Sequence, residues 1–236
     1  MTNGNLKIIS SGMSKKRVII LGKGRSGTTL MQRILHCAID DGFFCGENGG
    51  FWCFMYYAMY GTGSDLPGFV RTELSKEGEY TKEDNYKPCW WNFYNKEKLL
   101  QDYRNLFDNM YLSHKSRVFG FKEIRFPSDY TSLQNYINFL KELFPDIFFI
   151  FTVRDIETLS KSGWWPESIS QDANIRLDII KSQENLTEIS KNNSNCLLFR
   201  YENYSSIEEI EKVFHFLGEC INHEKIKMVL SNRYNN

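Results

Sequence analysis

The stretch that decides the fold of this chain is VIILGKGRSGTTL, which spans Val18–Leu30. Its first four residues form a continuous apolar run with β-branched side chains, which is typical of a buried parallel strand. A glycine-rich loop follows from Gly22 to Gly27, and a helix begins at Thr28. Backbone N–H groups at a helix N-terminus point towards an anion, so this order of elements predicts a phosphate-binding cradle.

The spacing from Gly22 to Gly27 matches the nucleotide-binding frame G-x-x-x-x-G-K-[ST] with one change. Thr28 stands where that frame has the lysine that serves the β- and γ-phosphates of a nucleoside triphosphate. The positive charge lies inside the loop instead, at Lys23 and Arg25. The loop therefore argues against ATP or GTP chemistry and predicts a nucleotide whose anionic tail is not a triphosphate.

The composition indicates one globular domain with a substantial core, since 42% of the 236 residues are apolar and 25% are charged. The net charge is zero, which does not favour nucleic acid as a partner. The six cysteines show no zinc-ligand spacing, so we expect no metal site. Residues 1–16 are polar, and no apolar run is long enough to span a membrane. We expect a disordered lead-in over residues 1–16, no membrane span and a cytoplasmic location.

Strand and helix patterns alternate along residues 17–236, which we expect to form a single domain. The predicted strands are 17–22, 43–45, 116–122, 147–153 and 195–201, and the predicted helices are 28–39, 51–60, 96–112, 130–144, 156–162, 170–192, 207–217 and 223–230. This alternation predicts an α/β fold with a parallel β-sheet flanked by helices. Residues 48–115 are harder to assign, and we interpret them as a helical and loop insertion that forms a lid over the carboxyl edge of the sheet.

Candidate ligand-binding residues follow four of the predicted strands. They are the glycine-rich loop after Leu21, then Lys122, Arg154 and Tyr201. Because ligands of open parallel sheets bind outside the carboxyl ends of the strands, these segments should meet at one site. The agreement between four separate segments is stronger than any one motif.

The segment Arg25-Ser26-Gly27-Thr28-Thr29 resembles the 5′-phosphosulfate loop of sulfotransferases that use 3′-phosphoadenosine 5′-phosphosulfate (PAPS). The form with arginine before Ser-Gly-Thr-Thr is similar to bacterial sulfotransferases and to tyrosylprotein sulfotransferases. The resemblance implies a P-loop-type fold, PAPS as the donor, 3′-phosphoadenosine 5′-phosphate (PAP) as the product, and no metal. It also implies a set of loop residues that bind the cofactor: Lys23, Gly24, Arg25, Ser26, Gly27, Thr28 and Thr29.

Arg154 and Ser162 resemble the 3′-phosphate motif of the same family, which has an arginine at a strand end and a serine eight residues later. An arginine fork suits phosphate because it can donate two parallel hydrogen bonds. The family often has proline two residues after the arginine, where this chain has Ile156. The segment Leu198–Asn203 looks like the family's strand that ends in Arg-Tyr-Glu-Asp, which implies that Tyr201 lies near the nucleotide.

Lys122 lies in the segment Gly120–Pro127, which resembles the strand–lysine segment of the tyrosylprotein and bacterial enzymes. In those relatives the lysine reaches the oxygen that bridges sulfur and phosphorus, and this implies a catalytic role for Lys122 together with Arg25. The relatives often read Lys-x-Pro, where this chain has Ile124. Arg125 is a weaker candidate for a contact with substrate or cofactor.

Glu47 is the candidate general base. It follows a short predicted strand, and the arginine-loop relatives have a glutamate at nearly the same distance from the loop. Sulfuryl transfer to a hydroxyl needs a base because a neutral alcohol is a poor nucleophile, and a carboxylate serves near pH 7 if burial raises its pKa. A histidine is the alternative base. Of the four histidines, His114 is the one whose predicted position argues least against this role.

The resemblance implies in-line transfer of the PAPS sulfuryl group to a hydroxyl acceptor, and we favour a carbohydrate or small metabolite as that acceptor. We expect Trp164 and Trp165 beside it, since aromatic faces stack on sugars and flat molecules. Two alternatives stay open, a P-loop kinase with a displaced lysine and a non-catalytic nucleotide-binding module. Against the kinase, Arg154 stands at a strand end where metal chemistry needs a carboxylate. The sequence carries no signal for the oligomeric state.

Overall fold

The computed structural model describes residues 15–60, 96–111 and 116–232. The strands are β1 (Lys16–Leu21), β2 (Gly42–Cys45), β3 (Val118–Glu123), β4 (Ile147–Val153) and β5 (Cys196–Arg200). The helices are α1 (Thr28–Ala38), α2 (Phe51–Tyr60), α3 (Lys96–Tyr111), α4 (Tyr130–Leu143), α5 (Ile156–Leu159), α6 (Trp165–Gln171), α7 (Asn174–Lys191), α8 (Ile207–Leu217) and α9 (His223–Ser231), with a 3-10 turn at Tyr201–Ser205. The alternation of strands and helices is that of an α/β protein.

In the described part of the chain, the strands form one five-stranded sheet with the order β2-β3-β1-β4-β5. Every neighbouring pair in this sheet is parallel. The prediction of a parallel sheet flanked by helices is therefore confirmed. The strand that contains the apolar run Val18–Leu21, β1, lies at the centre of the sheet, where this run is covered from both faces.

Residues of β1 alternate between two hydrophobic clusters, as the pleat of a strand requires. Val18 and Ile20 pack against α1, α8 and α9 on one face of the sheet. Ile19 and Leu21 pack against α2, α3, α4 and α7 on the other face. All four side chains are at most 1% exposed, so the sheet forms the middle layer of a three-layer core.

The predicted helix over 170–192 is wrong at its N-terminal end, since α6 and α7 are separate helices. Asp172 lies between them, and its carboxylate accepts a hydrogen bond from the backbone N–H of Asn174 at 2.9 Å. An aspartate that bonds nearby backbone N–H groups favours a turn over a helix interior. The break turns the chain after α6 and lets α7 pack on the sheet.

Several predictions fall outside the described residues. They concern residues 1–14 of the lead-in, residues 61–95 and 112–115 of the lid, and the alternative base His114. Within the described ranges, the segment predicted to be an insertion contains α2 and α3, and β1 already begins at Lys16. In those same ranges no helix combines the length and the apolar character that a membrane crossing requires.

Candidate active site

The glycine-rich loop connects β1 to α1 and is held by buried contacts. The Ser26 side chain is 0% exposed, and its Oγ lies 2.8 Å from Oγ1 of Thr152 on β4, within hydrogen-bond distance. Gly27 has a φ of 101°, and a Cβ at this position would lie 2.8 Å from Cε2 of Tyr204. The hydroxyl of Tyr204 also donates a hydrogen bond to the Gly27 carbonyl at 2.8 Å. Glycine is required here by both backbone conformation and space.

The N-terminus of α1 is open to an anion. Gly27 precedes the helix and has no side chain that could accept a hydrogen bond from the first N–H groups. The first turn, which the structure describes in full, carries no acidic residue. Unsatisfied N–H groups and the positive end of the helix dipole therefore face the space in front of Thr28.

A cavity of about 380 Å³ opens at this helix end, at the carboxyl edge of the sheet. Among the described residues, four cationic side chains and one carboxylate line it. The described residues that line the cavity are Gly24, Arg25, Gly27, Thr28, Thr29, Leu30, Arg33, Glu47, Lys122, Ile124, Arg154, Trp164 and Tyr201. The excess of positive charge, added to the helix N-terminus, suits a ligand with several negative charges.

Arg154 is held at the cavity by four contacts. Its guanidinium lies over the Tyr201 ring, with Cζ 4.0 Å from the ring centroid. Nη1 donates to the carbonyl of Arg25 at 3.1 Å, and Nε donates to Oγ1 of Thr158 at 3.3 Å. Its backbone N–H donates to Oε1 of Gln183 on α7 at 2.6 Å. These contacts orient the arginine fork before any ligand binds.

Arg25 and Ser162 meet directly, since Nε of Arg25 donates to Oγ of Ser162 at 3.2 Å. Arg25 has a φ of 70°, which is uncommon for a residue with a side chain. Gly163 makes room for it, because a Cβ there would lie 2.9 Å from Nε of Arg25. Ser162 itself is not among the described lining residues of the cavity. The pair therefore links the loop to the segment after α5.

The two tryptophans, which the sequence predicts to lie beside the acceptor, contact the glycine-rich loop. Nε1 of Trp165 donates to the Gly24 carbonyl at 2.7 Å. A Cβ at Gly24 would lie 2.5 Å from Cζ2 of Trp164, so only glycine allows this ring to pack on the loop. Trp164 lines the cavity and is 49% exposed. The pair supports the loop from the α6 side.

Lys23 contacts the α7 side of the loop. Nζ of Lys23 lies 2.8 Å from Oδ2 of Asp178 and donates to Oγ of Ser128 at 3.0 Å. It also lies over the Phe126 ring, 5.4 Å from the centroid. Lys23 is not among the described residues that line the cavity. Its charge is already paired, so the predicted contact with the cofactor would need this ion pair to open.

Glu47 and Lys122 meet at the cavity wall. Oε1 of Glu47 lies 2.5 Å from Nζ of Lys122, and Oε2 lies 3.1 Å from Nη1 of Arg125. Partial burial acts to raise the pKa of Glu47, but the hydrogen bonds and charges of Lys122 and Arg125 outweigh it and lower that pKa. The condition that burial raises the pKa of this carboxylate is therefore not met. Glu47 is ionised at neutral pH, with its charge stabilised by two cations.

Three residues that line the cavity or contact its segments were not predicted from the sequence. Arg33 lines the cavity from α1. It lies four residues after Thr29, so helical spacing could have placed it on the same face. Gln183 orients Arg154 from α7, and Glu123 is a buried carboxylate, 1% exposed, at the end of β3. No local pattern marks these two, because the contact of Gln183 with Arg154 and those of Glu123 with Asn48 and Gly50 join distant parts of the chain.

No cluster of three or more potential metal-ligating side chains occurs in the ranges that the structure describes. Of the predicted site residues, the structure brings Gly24, Arg25, Gly27, Thr28, Thr29, Glu47, Lys122, Arg154 and Tyr201 to the cavity. Ser26 lies buried beneath the loop. Ser162 and Lys23 contact the loop from either side.

Comparison of the fold with solved structures finds similar proteins at low sequence identity. The sulfotransferase domain from the Synechococcus PCC 7002 olefin synthase is 16% identical with a TM-score of 0.57, and the match covers 89% of this chain and 75% of that chain. Sulfotransferase STF9 from Mycobacterium avium is 13% identical with a TM-score of 0.44, covering 92% and 67%. An unliganded sugar kinase from Janibacter sp. HTCC2649 is 14% identical with a TM-score of 0.45, covering 87% and 96%.

The first of these similarities supports the fold alone. A search of curated proteins gives no significant match. A family model described as the sulfotransferase family matches residues 17–219, which is most of the chain. The match includes the glycine-rich loop and every described element from β2 to α8. This chain belongs to the sulfotransferase family.

Proposed function

We propose that this chain transfers the sulfuryl group of PAPS to a hydroxyl acceptor by in-line displacement, with Glu47 as the general base. One observation carries the proposal. The glycine-rich loop, Arg154, Lys122 and Glu47 come from four different segments and line a single cavity at the carboxyl edge of the sheet. That edge is where α/β folds of this kind bind nucleotides.

The residues at the cavity fit a cofactor with two phosphate-bearing ends. The first is the N-terminus of α1 with Arg25, which offers N–H groups and a cation to a 5′-phosphosulfate. The second is Arg154, which the Tyr201 ring and the Arg25 carbonyl orient as a fork for a 3′-phosphate. Ser162, hydrogen-bonded to Arg25, would join this second site. When bound, PAPS supplies the sulfuryl group and a bisphosphate leaving group.

Lys122 and Arg25 would neutralise the charge that develops on the leaving side of the reaction. Both line the cavity, and preorganised cations lower the barrier most when they face developing charge. Lys122 lies 2.5 Å from Glu47 in the structure, so a new anionic partner for Lys122 would weaken its pairing with Glu47. That exchange would make Glu47 a stronger base at the moment when a proton must be taken from the acceptor.

For the acceptor, we propose a carbohydrate or a small hydroxyl-bearing metabolite. The surface next to Glu47 carries Arg125 and Phe54, with exposed fractions of 57% for the arginine side chain and 65% for the phenylalanine. Gly50 lies between them, since a Cβ there would lie 3.2 Å from the arginine Cβ and 3.7 Å from the phenylalanine ring. An open aromatic face beside polar groups is suited to stacking on a sugar or another ring.

Thermal unfolding with candidate ligands tests the donor. We expect PAP at 100 times its Kd to stabilise the protein by about 2.7 kcal/mol, which raises the Tm by several degrees in a domain of this size. AMP at the same concentration should give a smaller shift because it lacks the 3′-phosphate. A shift with ATP and Mg²⁺ but none with PAP would overturn the proposal and favour the kinase alternative.

Transfer of radiolabelled sulfate from PAPS tests the acceptor. Neutral and uronic saccharides, alcohols, phenols and a tyrosine peptide would be assayed in parallel with the intact chain. We expect labelled product in the saccharide or small-alcohol arm. Labelling of the tyrosine peptide alone would contradict the proposed acceptor class while leaving the donor assignment intact.

A further inference from the structure

The chain segments that carry Glu47 and Arg125 leave the sheet before they reach the cavity. In the described residues, the backbone ladder between β2 and β3 ends at the pair Cys45 and Phe121. Glu47 lies beyond that last pair, as do Lys122 and Arg125. Lys122 is still held from the other side by its pairing with Ile20 of β1, but no described strand pairing holds the segments of Glu47 and Arg125 in register, although the side chains meet at 2.5 and 3.1 Å.

The carboxylate of Glu123 bridges the two segments. Its Oε2 accepts from the backbone N–H of Gly50 at 2.9 Å and from that of Asn48 at 3.3 Å. Its Oε1 accepts from the N–H of Ile124 at 2.9 Å and from that of Arg125 at 3.0 Å. Four described backbone N–H groups from two separate segments thus converge on one side chain.

Strand geometry explains why Glu123 can do this while its neighbour serves the cavity. Successive side chains of a strand point to opposite faces, so Lys122 and Glu123 leave β3 in opposite directions. Phe119 and Phe121 share the face of Glu123 and belong to the cluster packed on α2 and α4. Glu123 is 1% exposed, directly beneath the turn that leads into α2.

We infer that Glu123 is a positioning residue, which holds the Glu47 segment against the Arg125 segment so that the base and its two cations meet at the cavity. A carboxylate suits this role because both oxygens only accept hydrogen bonds, and all four partners are donors. A glutamine would offer one acceptor oxygen and turn its NH₂ group towards two backbone N–H groups. The consequence for turnover rests on the proposed function, whereas the positioning itself does not.

The first test reads the position of Glu47 without any activity assay. Protein labelled with ¹³C at glutamate carboxyl groups is titrated by NMR, and Glu47→Gln identifies the Glu47 signal. Among the residues that the structure describes, the charged groups that face Glu47 are Lys122 and Arg125, with Arg25, Arg33 and Arg154 on the same cavity. In Glu123→Gln we expect the Glu47 titration midpoint to move up towards its ordinary value, because the cations are no longer held beside it. An unchanged midpoint overturns the inference.

The second test is a double-mutant cycle on sulfuryl transfer. Glu123→Gln should lower kcat by about 10- to 100-fold, the usual effect of displacing a reacting group. In the Glu47→Gln background, the same substitution should change kcat less than about 3-fold, since the group it positions is gone. An equal loss in both backgrounds overturns the inference. Absence of transfer in the wild type would refute the proposed function and leave the NMR result standing.

Glu219→Gln is the matched control, since the side chain of Glu219 is also buried, at 4% exposed, and contacts Lys16 and Arg117 far from the cavity. We expect it to leave both the Glu47 midpoint and kcat unchanged at a temperature where the variant is folded. If Glu123→Gln does not fold, Glu123→Asp takes its place under the same criteria. The aspartate keeps the charge but is too short to reach both segments.

Discussion

Two clusters of one glutamate, one lysine and one arginine lie at opposite edges of the same sheet. At the carboxyl edge, Glu47 contacts Lys122 at 2.5 Å and Arg125 at 3.1 Å. At the amino edge, Glu219 contacts Lys16 at 2.5 Å and Arg117 at 2.5 Å. The composition of the two clusters is the same, and in both the flanking cations lower the pKa of the glutamate against the effect of burial.

The two clusters differ in what surrounds them. The side chain of Glu219 is 4% exposed, and Lys16 also donates to the carbonyl of Leu217 at the end of α8, so this cluster ties the last helices to the start of β1. The side chain of Glu47 is 28% exposed and faces a cavity with a helix N-terminus. The same residue types therefore do different things in two places. The Glu219 cluster joins helices to a strand, whereas the Glu47 cluster is a candidate site because it faces a cavity.

The largest effect should follow from Glu47→Gln. Removal of a general base typically costs about 100- to 10,000-fold in rate, so we expect turnover to fall by about 100-fold or more. Affinity for PAP should stay within about 3-fold, since the loop and Arg154 are unchanged. Steady-state transfer rates and PAP titration measure the two quantities. Unchanged turnover would show that Glu47 is not the base. Its cluster would then have only a structural role, like that of Glu219.

Arg154→Ala should weaken binding of PAP by about 10- to 100-fold, the usual cost of a charge-assisted hydrogen-bond pair. Affinity for AMP should change by less than about 3-fold because it has no 3′-phosphate. Calorimetric titration of both nucleotides measures the difference. Equal losses for PAP and AMP would show that Arg154 acts on the loop through its contact with the Arg25 carbonyl.

Glu219→Gln should act on stability alone, with a loss of about 1–2 kcal/mol because two partly exposed cations lose their buried partner. Denaturant unfolding measures this loss, and PAP affinity should not change. The pKa of Glu219 is lowered in the folded state, so its contribution is complete above the ordinary value of 4.5 and is lost as the pH falls through the folded value.

The pH dependence therefore provides the check on this second cluster. The difference in stability between wild type and Glu219→Gln should be constant near neutral pH and should shrink as the solution is acidified below the ordinary glutamate pKa. A difference that grows on acidification would contradict the assigned charge state. A loss of PAP affinity would show that the two edges of the sheet are coupled.

The smallest effect should follow from Lys23→Ala, although this lysine lies in the glycine-rich loop that the sequence predicts to bind the cofactor. Its Nζ is paired with Asp178 on α7 at 2.8 Å and lies outside the described cavity lining. We expect PAP affinity to change by less than about 3-fold and stability by less than about 1 kcal/mol, the usual range for partly exposed ion pairs. Asp178→Asn is the matched variant. A 10-fold or greater loss of PAP affinity in Lys23→Ala alone would show that the ion pair opens on binding.

Much of the site could be predicted because its residues follow strands. The loop after Leu21, Lys122 and Arg154 each come after an apolar run, and parallel strands end at one edge of the sheet. The direction of side chains could not be predicted in the same way. Lys23 and Arg25 are both loop cations, yet one pairs with α7 and the other lines the cavity.

Local sequence by itself determined the elements of this protein. The apolar run with Gly22 to Gly27 specified a strand, a glycine-rich loop and a helix, and the alternation of patterns specified the parallel sheet. These features depend on residues that are neighbours in the chain, where backbone conformation and periodicity act directly.

Only the tertiary structure decided the charges and contacts of the site. It paired Glu47 with two cations that lower its pKa, and it buried Glu123 beneath two loop segments. It also placed Trp164 and Trp165 in contact with the glycine-rich loop. The physical reason is that pKa values and hydrogen-bond networks depend on distances between groups far apart in the chain, which exist only once the sheet and its helices have packed.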